Sequence, residues 1–412
     1  MQKNRILPLM IMCLVLLPSA LCREPRRDPG SKRIRILYYG DALGTSPYPT
    51  FVIDPLTTVV ALTGMSGTPD QIDKRMRILM PRTYQDLLNR YDLLILSDAQ
   101  VKNFRSEFIF WFRDSVIEDG LGLLMIGGYG SFGGCPFLES DWGETVLQEA
   151  LCVRCITHGW DMGDQSPSAA GVLEVVDPED EFMSSLPFDS MGRYGVFHGA
   201  NIVETKQASR LLANYRKSGG KTYPLIVYGD IGEGSSVAFC SDWTPYGGID
   251  FIRWPYYPDF ALNLVSYATG NSVPQDIEMA HRSRELMQDY SGLLQTLHSV
   301  MDFVERFGTN IAAAEQLLIE IDTEYEEGKA AYMDADLEAA ISHLEAATDD
   351  LLVASDRIWK LKDEALLWVY ITEWLVVAGT GMICGFVLWS IMIRRKLYRE
   401  VEVTRPSRLA DS

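Results

Sequence analysis

What this chain of 412 residues is short of is positive charge: 37 Lys and Arg stand against 56 Asp and Glu, a formal net charge of -19. Proteins that hold nucleic acid gather Lys and Arg on one face to displace the counterions of the phosphate backbone. Nucleic acid is therefore excluded as a partner. Nor is the chain poor in apolar residues, as disordered chains are. Hydrophobic residues make up 47% and charged residues 23%, which is enough to bury one sizeable core with further elements around it.

Two long apolar stretches, one near each end of the chain, carry no charge. At the N-terminus, Lys3 and Arg5 precede an apolar run over 6–17, and small residues follow up to Ala20. That order is a secretory signal peptide over 1–22, with cleavage near Ala20 or Cys22 and an uncleaved anchor as the alternative. Leu21 is bulky where a lipoprotein box needs a small residue, which argues against lipidation of Cys22. The second stretch, 374–393, has the ~20 residues that a membrane helix needs. Arg394, Arg395, Lys396 and Arg399 follow it, and Trp368, Tyr370, Trp374 and Trp389 mark its ends as interfacial aromatics do. The basic flank belongs on the cytoplasmic side. The expected protein is single-pass in the cell membrane, with its N-terminal body outside and residues 394–412 as a cytoplasmic tail.

Between these stretches, polar residues 23–32 read as a linker, and a folded domain is expected over 33–272. Apolar runs bounded by turn residues recur at IRILYY (34–39), TVVALTG (58–64), DLLILSD (92–98) and GLLMIGG (122–128), with a helical pattern over 104–120. This alternation predicts an α/β fold with a doubly wound, mainly parallel sheet. YPLIVYGD (223–230) and SSVAFCSD (235–242) flank Ile231-Gly232-Glu233-Gly234 and predict a hairpin. A helix over 259–270 closes the domain. After Asn271 the pattern turns helical: three amphipathic series predict an α-helical stalk over 273–365. No Gly or Pro separates the third series from the apolar segment, so one helix is expected to run into a membrane-entering and transmembrane stretch over 366–393. Within the stalk, 326–347 reads as a single tetratricopeptide-like helical hairpin capped at Asp334. One copy cannot form a solenoid.

The glycine-rich stretch LLMIGGYGSFGG (123–134) carries Gly128-x-Gly130-x-x-Gly133, the spacing of a dinucleotide loop. That fingerprint belongs to a first strand and must open a helix. Here it follows the fourth strand and runs into Gly134-Cys135-Pro136, which no helix interior accommodates. A dinucleotide is rejected, and neither cofactor nor metal is expected. Cys152, Cys155 and His158 have a metal-like flavour, but residues three apart on a strand point to opposite faces and cannot hold one ion.

LLILSD, LLMIGGYGSFGG and PLIVYGDIGEGSSVAFCSDWTPYGG (224–248) together resemble the class I glutamine amidotransferase-like fold over 33–270, within the group of putative glutamine amidotransferases close to trehalose-utilisation-type proteins. The resemblance implies a cysteine nucleophile in a G-x-C-x-G turn and a histidine and glutamate after the last strand, since the thiol needs a base before it can attack a carboxamide. Gly128 stands at the nucleophile position, Cys240 at that of the histidine and Asp242 at that of the glutamate. No catalytic residue is therefore expected. What remains is a pocket beyond the carboxyl ends of the strands, with Asp41, Asp98, Gly128, Tyr129, Gly130, Ser131, His198 and Asp242 as ligand-binding candidates. The expected function is recognition of a small polar or carbohydrate-like ligand, or of a partner protein. The alternatives are an amide hydrolase or amidotransferase using Cys135 or Cys240, with His198 as base, and a scaffold acting through its stalk helices.

The topology is directly testable. Protease added to sealed cells should degrade the chain up to about Trp368 and spare 396–412; a tag at Ser412 accessible from outside would overturn the orientation.

Overall fold

The computed structural model describes residues 25–64, 68–162 and 170–403. The expected signal peptide and the last nine residues of the tail lie outside them. The strands are β1 (Ile34–Gly40), β2 (Thr57–Thr63), β3 (Leu93–Ser97), β4 (Gly122–Ile126), β5 (Val153–Met162), β6 (Gly171–Val175), β7 (Val196–Phe197), β8 (Gly199–Thr205), β9 (Arg210–Lys217), β10 (Thr222–Ile231) and β11 (Gly234–Phe239). The helices are α1 (Tyr48–Ile53), α2 (Pro69–Leu79), α3 (Tyr84–Arg90), α4 (Ser106–Ile117), α5 (Glu181–Ser184), α6 (Tyr257–Ala268), α7 (Ile277–Glu305), α8 (Ala312–Met333) and α9 (Leu337–Val403). The chain divides into two compact units that meet between Glu285 and Leu286.

In the first unit a nine-stranded sheet runs β2-β1-β3-β4-β11-β10-β9-β6-β7, and β5 pairs with β8 in a small second sheet. The apolar runs of β3 and β4 are buried throughout, as strands covered on both faces must be. Alternation with period two sorts their side chains. Ile36, Tyr38, Ile95, Leu124 and Ile126 share one core with Phe260 and Leu264 of α6. Leu37, Tyr39, Leu94, Leu96 and Leu123 share another with Met76, Leu87 and Phe112 of α2, α3 and α4. At the start of α3 the Thr83 hydroxyl accepts the Asp86 N–H at 3.1 Å, an N-cap of the kind that stops the first turn from fraying.

The sheet is mixed rather than mainly parallel. β2, β1, β3, β4 and β11 are parallel, whereas β11-β10, β10-β9, β9-β6 and β6-β7 are antiparallel. The predicted hairpin is β10–β11. Beyond it, β9, β6 and β7 extend the sheet antiparallel, through strands that were not among the expected elements. The unit also extends past the composition change at Asn271. Arg284 on α7, 2% exposed, donates to Asp259 at 2.8 Å and to Asn263 at 3.0 Å on α6, and His281 Nδ1 lies 2.6 Å from the other Asp259 oxygen. Breaking so deeply buried an ion pair would leave an uncompensated charge.

The second unit is helical. Tyr290 and Tyr325 stack at 3.9 Å between α7 and α8, and α8 ends at Asp334, its C-cap, before a tight turn leads into α9. On α9, Ala340, Leu344, Ala347, Leu351, Ala354 and Ile358 are buried at alternating steps of four and three, the seam of a helix packed along a neighbour. As expected, the helix continues without a break into the charge-free segment. From Leu367 to Tyr398 its large apolar side chains are exposed, and among the described residues it is the one helix long and apolar enough to cross a membrane.

Leu344→Pro should cost ~3 kcal/mol or more in α9, because it removes an intrahelical hydrogen bond and clashes with the preceding turn. Calorimetry of the full-length protein in detergent should find the helical unit destabilised and the α/β transition unchanged; loss of both together would mean that the two units unfold as one.

Candidate functional site

Three strands of the parallel half each deliver an aspartate just past their carboxyl ends: Asp41 after β1, Asp98 after β3 and Asp242 three residues after β11. They are 4%, 4% and 5% exposed. Close approach of β1 and β3 at this end depends on Gly40, where a Cβ would fall 1.6 Å from the Ser97 carbonyl oxygen.

Each carboxylate is held by neutral donors. The Tyr38 hydroxyl donates to Asp41 at 2.7 Å and itself accepts from the Trp243 indole at 3.1 Å. The Gly130 N–H donates to Asp98 at 2.6 Å, and the Thr244 N–H to Asp242 at 2.7 Å. Among the described residues no Lys, Arg or His bonds to any of the three. Burial therefore pushes all three carboxyls up, and the charge of Asp41 adds to the rise at Asp98 and Asp242. Asp98 reaches about 6, through desolvation first and the charge of Asp41 second, although the Gly130 hydrogen bond works the other way. Desolvation also lifts Asp242 well above the ordinary carboxylate range, with Asp41 and Asp98 adding to it. The second Asp41 oxygen and the Ser131 hydroxyl are buried without a hydrogen-bond partner in the protein.

The glycine loop closes the site. Gly127 donates to the carbonyls of Phe239 and Ser241. Asn201, fully buried on β8, accepts the Gly128 N–H at 2.9 Å and donates to the carbonyls of Gly128 and Ser131 at 3.1 and 3.2 Å. Gly128 has a φ of +146°, and a Cβ there would lie 2.6 Å from the Cβ, Cγ and Oδ1 of Asp98. The Asp98 carboxylate thus occupies the space that a nucleophile on residue 128 would need. Asp98 is itself left-handed, with a φ of +46°, a conformation that Asp tolerates better than most residues but that still carries strain.

The other candidates are spread around this centre. Tyr129 is 36% exposed and stacks on Trp160, with ring centroids 5.2 Å apart. His198 is tied to the loop after Asp242 by its backbone N–H, which donates to Gly247 at 2.8 Å, while its Nδ1 has no partner. Neither Cys135 nor Cys240 bonds to it among the described residues. Both cysteines are fully buried, and desolvation holds the Cys240 thiol well above its ordinary value, the opposite of what a nucleophile needs. Cys152 and Cys155 are likewise pushed up to about 12 by burial. Leu43, Phe137, Tyr246 and Ile249, on loops that follow β1, β4 and β11, are exposed apolar residues at the same end of the sheet.

Asn201, Trp160 and Trp243 escaped the sequence reading. Each is a single polar or aromatic residue whose partner is distant in the chain, and spacing carries no signal of that kind. His198, a candidate from sequence, lies three residues before Asn201, but nothing in its neighbourhood singles out the asparagine.

Residues 76–270 match the family model described as "Putative glutamine amidotransferase", in agreement with the resemblance read from the strand ends and the glycine loop. That part of the chain is glutamine-amidotransferase-like. Among solved structures, the chain is similar to "Cytoplasmic Protein STM3548 from Salmonella typhimurium", at 22% identity over 57% of this chain and 98% of that one, with a TM-score of 0.44. It is also similar to a catalytic mutant of Gan42B, a GH42 β-galactosidase from G. stearothermophilus, at 13% identity over 59% of this chain and 31% of that one, with a TM-score of 0.32. No curated protein matches the chain.

The raised carboxyls predict a pH dependence. Folded Asp98 keeps its proton up to about pH 6, whereas an unfolded aspartate releases it near 3.8. The folded chain therefore binds more protons across that window, and stability falls as pH rises through it. The contribution of this one group is at most roughly 3 kcal/mol. Asp98→Asn retains an acceptor for Gly130 but cannot ionise. Its melting temperature relative to the wild type should rise between pH 4 and 7; a constant difference would show that Asp98 is not titrating there.

Proposed function

We propose that the α/β unit is a non-catalytic, glutamine-amidotransferase-like recognition module that binds a small polar or carbohydrate-like ligand at the strand ends. The observation that carries this reading is the 2.6 Å approach of a Gly128 Cβ to Asp98. It supports loss of the nucleophile as a built feature: residue 128 cannot become a cysteine until Asp98 moves. With the thiol of Cys240 buried in the position of the base, neither attack on a carboxamide nor the accompanying proton transfer has its group.

Binding is a better use of these residues than catalysis. Buried carboxylates facing few donors are acceptors in search of hydroxyl or ammonium groups, and leaving them unpaired is costly. Ser131 and the second Asp41 oxygen add unsatisfied polar atoms, while Tyr129 and the apolar residues on the surrounding loops offer flat surfaces for the ring faces of a ligand. A protein partner is the second reading, favoured by the exposure of Phe137 and Tyr246. In the same reading the five parallel strands, with helices on both faces, are the doubly wound part of the family's fold. The helical unit is a stalk, and α9 anchors it by a single crossing that leaves the α/β unit outside the cell.

Two measurements on the full-length protein in detergent test the proposal. Incubation with glutamine should release no ammonia above background, and turnover that disappears in Cys135→Ser would install the hydrolase instead. A panel of neutral mono- and disaccharides should include one that raises the melting temperature of the α/β unit, with the shift abolished in Asp242→Asn; if none does so, the small-ligand reading fails and the protein-partner reading takes its place.

A further inference from the structure

Beyond the strand ends, the flank of the α/β unit carries a groove of about 440 Å³. Its walls come from Trp160 and Asp161 near the end of β5, Ile202 on β8, and Lys217, Lys221 and Tyr223 on the β9–β10 hairpin. In a chain with a net charge of -19, a groove with two lysines and one aspartate is a local inversion of sign.

The polar groups are arranged rather than scattered. Lys217 donates to Asp161 at 2.7 Å, and the two side chains are only 23% and 15% exposed, so the pair is sheltered from solvent screening. Together they present an ammonium donor beside a carboxylate acceptor, the pattern that two neighbouring hydroxyls match. Lys221 is exposed and makes no ion pair among the described residues. Trp160 is braced by its stack on Tyr129, and its indole N–H is shielded without an acceptor. Trp160 and Tyr223 supply aromatic surface for the C–H face of a ring.

We infer that this groove is a binding subsite for an acidic pyranose, a sugar ring that carries a carboxylate. The ring lies against Trp160 and Tyr223, its hydroxyls bridge Asp161 and Lys217, and its carboxylate meets Lys221. The subsite shares no residue with the three strand-end aspartates, so it stands or falls apart from the function proposed above. Tyr129, which belongs to the glycine loop and braces Trp160, is the physical link between the two.

The test titrates full-length protein in detergent with digalacturonate and with its neutral counterpart, digalactose, following heat by calorimetry. Digalacturonate should bind about tenfold more tightly, the worth of one charge-assisted hydrogen bond, and the advantage should shrink as salt is raised. Lys221→Ala, at an exposed position, should abolish the preference and leave digalactose binding unchanged. Trp160→Ala should weaken both ligands by about tenfold or more, with unchanged circular dichroism. Equal affinity for the two disaccharides, or binding of neither, would overturn the inference. Binding lost in Asp98→Asn but kept in Lys221→Ala would also overturn it, by moving the ligand to the strand ends.

Discussion

The contact between Gly128 and Asp98 is the constraint on which the candidate site depends. Two residues past β4 the chain has a glycine, where the aspartate just past β3 leaves no room for a side chain, and that aspartate itself has a left-handed backbone. Each feature needs the other. With a Cβ on residue 128 the carboxylate would have to withdraw, and the Gly130 N–H would lose its acceptor in a loop held from the other side by Asn201. The turn is locked around a carboxylate.

That arrangement has an energetic consequence. Three aspartates lie within one buried end of a sheet with only neutral donors around them; burial opposes the ionisation of each, and Asp41 opposes that of Asp98 and Asp242 as well. The folded state holds protons that an unfolded chain would release, so the site subtracts from stability near neutral pH. Proteins retain such destabilised groups where they serve binding or chemistry. The parallel core beneath, with β3 and β4 buried on both faces, is rigid enough to hold the cluster together.

The helical unit is governed by different physics. The buried seam of α9 runs through Ala340, Leu344 and Ala347 to Ile358, and beyond Ala365 the same helix turns apolar on all sides. A helix that hides one stripe is packed against protein; one that is apolar all round needs an apolar surrounding of its own. The change of pattern within one unbroken helix marks where the side chains buried against protein end.

The sequence by itself determined the elements whose information is local. The apolar runs of β1 to β4, the β10–β11 hairpin, the rejection of a dinucleotide loop and the continuity of α9 all follow from periods, turn residues and the absence of Gly or Pro within a few turns of chain. It also placed Asp41, Asp98 and Asp242 at strand ends, because each comes within three residues of an apolar run. The tertiary structure alone decided what joins distant segments: the antiparallel half of the sheet, the extension of the first unit to Glu285 through Arg284 and Asp259, and the Asn201 clasp on Gly128, 73 residues away. Strand direction and long-range hydrogen bonds depend on which surfaces meet after collapse, and a residue's spacing from its chain neighbours contains no record of that. Even the glycine at 128, read from sequence as a missing nucleophile, acquired its reason only when Asp98 was found in the space beside it.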